Sequence, residues 1–175
     1  MSWPVVGLAA CAGLAVGQTT DIDQIFTGLR SDNDDVRERS EQAFLHWGEF
    51  SVPAPIEVID RARITLARVL RDPDSRIRGF ATSTCVVLTI RADSGKALSP
   101  LTPLLLAGFS DPDPLVRSNS ISAVVAMKPA PPFEATDALV DLLKPGHDVE
   151  TQRLAAYGLV RIVLMQKFAR QSARR

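Results

Sequence analysis

Apolar residues recur along the chain at steps of three and four positions, with polar residues between them. The clearest run joins Ile59, Ala62, Leu66, Val69 and Leu70. This spacing places the apolar side chains on one face of an α-helix, because the helix has about 3.6 residues per turn. A second stripe with the same spacing follows after a short polar turn. The pattern therefore predicts an all-α chain built from pairs of amphipathic helices.

The turn between the two helices of a pair belongs to a repeated segment. Leu29–Arg37, Leu70–Arg78 and Phe109–Arg117 align without gaps, and a fourth copy, Leu143–Arg153, is two residues longer. The last arginine of each copy stands at position 37, 78, 117 or 153, so successive copies are 41, 39 and 36 residues apart. This period is typical of a two-helix solenoid unit.

Each copy is interpreted as helix A, a tight turn and helix B. Pro73 and Pro112 end helix A, because proline disfavours helical geometry in the residue before it. Asn33, Asp74 and Asp113 then stand where a side-chain oxygen can cap the free N–H groups of helix B. The sequence therefore predicts where helix B begins in the first three units.

One position of helix B is small in every unit, which would allow helix A to approach closely. The residues assigned to this position are Ser40, Ala81, Ser120 and Ala156. Leucine at any of them is expected to overpack the unit, at a cost of about 1–3 kcal/mol. The A helices are expected to end at an apolar residue, namely Leu29, Leu70, Phe109 or Leu143.

The Asp-Pro-Asp-x-x-Val-Arg pattern, followed by small residues, resembles bacterial HEAT repeats over Asp21 to Lys167. The resemblance implies an all-α fold, an α-α superhelix (solenoid) of about four HEAT-like helix pairs. It also implies a ladder in which the turn acids Asp72 and Asp111 pair with helix B arginines of neighbouring repeats. The implied arginines are Arg37, Arg78, Arg117 and Arg153. The first unit departs from the pattern, with Ser31 at the position of Asp72.

Residues 1–17 carry no charged side chain and are almost wholly apolar. They are too short to span a bilayer comfortably but match the apolar region of a signal peptide. Ala15–Gly17 supplies the small residues of a cleavage site, and Leu8–Cys11 resembles a lipoprotein signal, although no Lys or Arg precedes it. A buried solenoid helix and a membrane anchor are the alternatives. Residues 18–175 would form the solenoid domain. The location is extracytoplasmic if the segment is a signal and cytoplasmic otherwise.

Composition places the chain among ordinary globular domains, with 46% apolar residues and 20 basic against 20 acidic groups in 175 residues. This balance argues against a nucleic-acid partner, because proteins that bind nucleic acids usually carry an excess of basic residues. The charge is nevertheless uneven: residues 1–60 sum to −7, residues 61–120 to +4 and residues 121–175 to +3, with no acid after Glu150. One interpretation is the preference of helix ends for particular charges. The other is a basic end that meets an acidic partner or membrane phosphate.

Candidate catalytic chemistry is sparse. Two cysteines, Cys11 and Cys85, and two histidines, His46 and His147, form no metal-ligand spacing, and no phosphate loop or nucleophile elbow is present. The sequence therefore predicts no metal site and no cofactor. It also predicts that the protein is not an enzyme. HEAT-like DNA glycosylases and phycobilin lyases are the enzymatic alternatives. They would need a basic aromatic groove or a tetrapyrrole pocket.

The expected function is a non-catalytic protein–protein interaction scaffold that presents a HEAT-repeat surface to a protein partner, because stacked pairs leave a continuous face of helix B side chains. The chain is expected to be a monomer, with membrane contact only through residues 1–17 and only if that segment is retained or lipidated. The residues assigned to the partner surface are Arg39, Gln42, Thr82, Ser83, Ser118, Asn119, Ser122, Arg170, Arg174 and Arg175.

Overall fold

The computed structural model describes residues 21–49, 56–91, 98–128 and 131–172. Within these ranges it describes the side chains of all residues except 46–49, 56–58, 91, 169–170 and 172. The expectations for residues 1–17 lie outside these ranges. The described part of the chain contains eight α-helices and no strand. The helices are α1 Ile22–Leu29, α2 Asp34–Glu49, α3 Ile56–Val69, α4 Ser75–Arg91, α5 Thr102–Ala107, α6 Pro114–Ala126, α7 Ala135–Asp141 and α8 Val149–Ser172.

The helices form four consecutive A–B pairs, α1–α2, α3–α4, α5–α6 and α7–α8, and the two members of each pair pack against each other. Helix α6 also packs between α4 and α8, and α1 packs against α3. The B helices of the last three pairs therefore form one row. This arrangement confirms the predicted all-α solenoid of helix pairs.

The core runs through all four pairs. Each A helix contributes a completely buried large apolar side chain, namely Phe26, Leu66, Leu105 and Leu139. Each such side chain contributes roughly 1.5–3 kcal/mol through its removal from water. Close contact within a pair depends on small residues: a Cβ on Gly108 would overlap the side chain of Ser120, and one on Gly28 would overlap Ser40. The small helix B position thus contacts helix A in the first and third pairs.

The predicted starts of helix B are confirmed. The Asn33 side chain accepts a hydrogen bond from the N–H of Val36 at 3.2 Å, and that of Asp74 accepts one from the N–H of Arg76 at 2.8 Å. Asp113 caps α6 in the same way, accepting from the Leu115 N–H at 2.8 Å. These bonds satisfy N–H groups that have no partner inside the helix.

The register predicted for the fourth pair is wrong by one residue. Asp148 caps α8 by accepting a hydrogen bond from the Thr151 N–H at 2.8 Å. Counted from this cap, the small position falls on Ala155, which is completely buried, whereas Ala156 is exposed. The longer turn, in which Gly146 adopts φ 110°, changes where helix B begins relative to the arginine.

The end of the fourth A helix is displaced in the same direction. Helix α7 ends at Asp141, and the buried apolar residue after it is Leu142. Leu143, the predicted marker, keeps 41% of its surface exposed. The end of helix A in the fourth pair is therefore one residue earlier than the alignment on Arg153 predicts, which is the same shift that the cap at Asp148 shows for helix B.

Candidate functional site

The ladder between repeats is most complete between the second and third pairs. Arg78 on α4 donates from Nε to Asp111 Oδ2 at 2.7 Å and from a terminal nitrogen to Oδ1 at 2.9 Å. The same guanidinium donates to the backbone oxygens of Asp72 and Pro73 at 2.8 and 3.0 Å. The side chains of Arg78 and Asp111 are only 15% and 10% exposed. One arginine therefore holds its own turn and the turn of the next repeat together.

The charges of this pair stabilise each other. The hydrogen bond to Asp111 raises the pKa of Arg78 above its usual value, against the opposing effect of burial. Burial works to raise the pKa of Asp111, but bonds from Arg78 and from the Asp113 N–H, with the charges of Arg78 and Arg117, leave it below its usual value. Both groups therefore remain charged at neutral pH.

The next junction has a weaker version of the same contact. Arg117 on α6 donates to the backbone oxygens of Asp111 and Pro112 at 2.9 and 3.0 Å, as Arg78 does in its own turn. Its contact with the fourth repeat is a single 3.4 Å bond to Asp148 Oδ2. Asp148 is also the cap of α8, and hydrogen bonds from the backbone and side chain of Thr151 lower its pKa to about 2.

The first junction uses a different arginine from the one predicted. Arg30, directly after α1, donates from Nε to Asp72 Oδ2 at 2.8 Å. Arg37 instead donates to the Ser31 backbone oxygen at 2.8 Å and pairs with Asp34 in its own helix. The assignment of Arg37 as the partner of a turn acid in the next repeat is therefore wrong. Asp34 provides a carboxylate one helical turn away, within reach of the Arg37 guanidinium.

Arg153 is the second exception. It donates to both carboxylate oxygens of Glu150 at 2.7 and 2.6 Å, within α8. The place of the ladder arginine is taken by Gln152, whose amide donates to the Lys144 backbone oxygen at 3.1 Å. The ladder role assigned to Arg153 is therefore wrong, for the same one-residue shift that moves the small position to Ala155.

The predicted partner surface is partly brought together. Gln42 is exposed and Ser83 and Ser122 are half-buried. These three residues stand nine positions after the caps of α2, α4 and α6, so they occupy equivalent places on the B helices. We call them the helix B row. The equivalent residue of α8, counted from its cap, is Tyr157, which is 57% exposed. The register counted from Arg153 does not place Tyr157 at this position.

The other assigned surface residues behave less uniformly. Arg39 is exposed, and Ser118 and Asn119 are half-buried on α6. Thr82 is only 1% exposed, and its hydroxyl donates to the backbone oxygens of Arg78 and Gly79 at 3.0 Å. Its assignment to the partner surface is wrong, because the side chain turns back on α4. The Arg170 side chain, Arg174 and Arg175 lie outside the described residues.

Residues that could support chemistry do not converge in the described part of the chain. No three His, Cys, Asp or Glu side chains there are placed to hold a metal ion. Cys85 is completely buried, and burial raises the pKa of its thiol to about 12, so the thiolate is suppressed at neutral pH. A shallow groove lies between α1 and α2 and is lined by Ile25, Val36 and Ala43 among others. His147 is not one of its lining residues. No described helix is long and apolar enough to cross a membrane.

Comparisons with known proteins decide the class of the fold. The sequence model of the HEAT repeat matches residues 101–129, which hold α5, α6 and the Asp111 turn. The chain therefore has a HEAT-like helical-repeat fold. The crystal structure of an engineered protein from the Northeast Structural Genomics Consortium is similar over 79% of the chain, with a TM-score of 0.55 and 20% identity. The chain spans 60% of the length of that structure. No curated protein is a significant match to the sequence.

These comparisons concern architecture. HEAT repeats are generally non-catalytic, and they serve as helical repeat scaffolds. The similarity to the engineered protein, at 20% identity, shows the fold alone.

Proposed function

We propose that this chain is a non-catalytic scaffold that presents its helix B surface to a protein partner. The observation that carries the proposal is the helix B row of Gln42, Ser83 and Ser122. Helix α2 borders α4 through the rings of Phe44 and Phe80, whose centroids are 4.9 Å apart, and α4 packs against α6. The three equivalent positions therefore follow one another across the solenoid, as in other repeat proteins. Here that line is accessible and uncharged.

An uncharged row suits contact with a polypeptide. Small hydroxyl and amide groups exchange hydrogen bonds with a partner backbone without the cost of removing a charge from water. The described B helices display no cluster of bases along this row that would capture phosphate. The ladder behind the row holds α4 and α6 in a fixed relation, so the spacing between Ser83 and Ser122 is set before a partner arrives.

The test is recovery of the partner from an extract of the native host, with the full chain as bait and chemical crosslinking. A variant with Ser83→Arg and Ser122→Arg places two bulky charges on the row. A matched control with Thr27→Arg and Ser110→Arg adds the same charge on the helix A side, where both residues are exposed. Melting temperatures of all three proteins report whether the fold is intact.

We expect the row variant to recover about tenfold less partner than the wild type and the control, as for loss of important interface residues. Equal recovery by the row variant and the control would show that the row is not the binding surface. If the wild type enriches no protein over beads alone, the scaffold function is wrong.

A further inference from the structure

Helix α8 exposes an apolar stripe on the side that faces away from the rest of the solenoid. We define the α8 stripe as Tyr157, Val160, Val163, Leu164 and Phe168. Each keeps between 47% and 63% of its surface exposed. They lie on one side of the helix, opposite the buried Ala155 and Ile162. Contiguous exposed apolar surface of this kind marks an interaction site in soluble proteins.

In the third repeat, the equivalent positions of helix B contact the B helix of the next repeat. Val160 stands twelve positions after its cap, and the equivalent residue of α6 is Val125. Val125 is only 3% exposed, and Gly158 of α8 lies so close that a Cβ there would meet the Val125 side chain at 2.6 Å. The outward face of helix B is therefore built to receive another helix. In α6 that helix is α8, and in α8 no described residue covers the face.

Charge restricts what the covering helix can carry. From residue 151 to the last residue the sequence has six bases and no acid. Lys167 is exposed beside the stripe, and Arg153 is exposed with Glu150 as its partner. A helix with acidic residues on both sides of its apolar face would be attracted to this surface, whereas a basic helix would be repelled. Two copies paired through their α8 stripes would bring base against base.

A lipid surface matches these features less well. Helix α7 stands beside α8 in the last pair and exposes Asp137 and Asp141, while Glu134, just before it, is exposed as well. An anionic bilayer broad enough to cover the stripe would also approach these acids. A single helix lying along α8 covers a narrower strip of surface than a bilayer does.

We propose that the α8 stripe binds a partner protein through an amphipathic helix whose apolar face is bordered by acidic residues. The proposal rests on the scaffold function proposed above and names one of its binding surfaces and the class of partner. It concerns a different face from the helix B row, apart from Tyr157, which lies at the edge of both.

The first experiment uses two synthetic fluorescent peptides of about 20 residues. Both carry leucine at positions i, i+3, i+4 and i+7, and one has glutamate at the flanking positions where the other has lysine. Fluorescence anisotropy with the full chain measures their affinity. We expect the glutamate peptide to bind about tenfold more tightly or better. We also expect its affinity to fall between 0.1 and 1 M salt, since the Debye length falls from about 10 to about 3 Å. Equal affinities would overturn the proposal.

The second experiment locates the site. Val160→Glu places an acid in the middle of the stripe, and Ile64→Glu is the matched control on α3, where Ile64 is 72% exposed. Because both residues are exposed, both variants are expected to keep the melting temperature of the wild type. Val160→Glu should weaken binding of the glutamate peptide about tenfold, and Ile64→Glu should leave its affinity unchanged. If both variants weakened binding equally, the peptide would bind outside the α8 stripe and the proposal would be wrong.

Three further outcomes would also overturn the proposal. A dimer in sedimentation that Val160→Glu dissociates would identify a second copy as the occupant. Binding to vesicles of phosphatidylcholine with phosphatidylglycerol, without binding to the peptide, would identify a lipid surface. A partner recovered from extract equally by the wild type and Val160→Glu would leave the scaffold function intact and refute the α8 site alone. Failure of the wild type to enrich any partner counts against the scaffold function.

Discussion

Two neighbouring junctions of the solenoid use the same kind of arginine with different results. Between the second and third repeats, Arg78 binds both oxygens of Asp111, and the two side chains are nearly buried. Between the third and fourth repeats, Arg117 makes one bond of 3.4 Å to Asp148, whose side chain is 49% exposed. The arginines are equivalent in sequence, so the difference comes from the acids they meet.

The acids differ because the turns differ. Asp111 stands two residues before the cap of its helix, and its side chain also accepts the Asp113 N–H at 2.9 Å, which orients the carboxylate towards α4. In the longer fourth turn, Gly146 stands at that place, so no turn acid is present. Arg117 therefore reaches the capping residue itself, which is already engaged with Thr151. The strength of a junction is thus set by the turn that receives the arginine.

The largest expected effect is the loss of the Asp111 carboxylate. Asp111→Ala removes two hydrogen bonds from Arg78 and one from the Asp113 N–H, and it leaves a nearly buried guanidinium with only its bonds to the backbone oxygens of its own turn. Hydrogen bonds to charged groups are worth about 1.5–3 kcal/mol, and we expect the free energy of unfolding to fall by about that amount. Urea denaturation measures it.

The control for that change is Glu38→Ala, which removes an exposed acid of α2. Substitutions at such surface positions usually remain within about 0.5 kcal/mol of the wild type. If Asp111→Ala shifted the urea midpoint no more than Glu38→Ala, the ladder would not contribute to the stability of the central junction.

The register of the fourth pair gives an effect of similar or smaller size. Ala155→Leu enlarges a side chain that is completely buried, and we expect it to cost about 1–3 kcal/mol through overpacking. Ala156→Leu enlarges its exposed neighbour and is expected to be close to neutral. Thermal unfolding of the two variants compares them directly. The reverse order of stability would restore the register read from Arg153.

The repeat could be predicted from sequence as far as its turns are regular. The caps at Asn33, Asp74 and Asp113 follow from local chemistry, because a side-chain oxygen needs only the next few N–H groups of its own helix. The pair Arg30–Asp72 could not be predicted in this way, because it joins two repeats and depends on how their helices pack. The pair Arg153–Glu150 lies within α8 at a spacing of three residues, so the sequence alone could have indicated it.

The candidate surfaces show the same limit. Thr82 and Ser83 are adjacent in sequence and similar in chemistry, yet one is buried and the other accessible. A helix rotates by about 100° per residue, so a shift of one position moves a side chain to another face. The α8 stripe shows this too. Counted from the cap, Val160 is equivalent to the buried Val125, and only the structure shows that no described residue covers it.

A double-mutant cycle at each junction would sharpen the comparison between them. We expect the coupling energy of Arg78 with Asp111 to exceed that of Arg117 with Asp148, because the second contact is longer and its acid is about half exposed, and exposed ion pairs contribute little. Raising the salt concentration should reduce the second coupling further. Each cycle needs the wild type, two single alanine variants and the double variant, all measured by urea denaturation. Equal couplings would mean that the orientation of Asp111 by its turn adds nothing.

The smallest expected effect is a dependence of stability on acid pH. The pKa of Asp148 is about 2 in the folded chain, below the value of about 3.9 for an unfolded aspartate. The unfolded state therefore binds a proton first as the pH falls, and the contribution of Asp148 is present above about pH 4 and lost between about pH 4 and 2. Asp148→Asn keeps a residue that caps helices well but cannot titrate. We expect urea midpoints to fall more for the wild type than for Asp148→Asn between pH 5 and pH 2.5. Parallel losses in the two proteins would assign the acid sensitivity to other carboxylates, Asp111 first among them, because its pKa is also lowered.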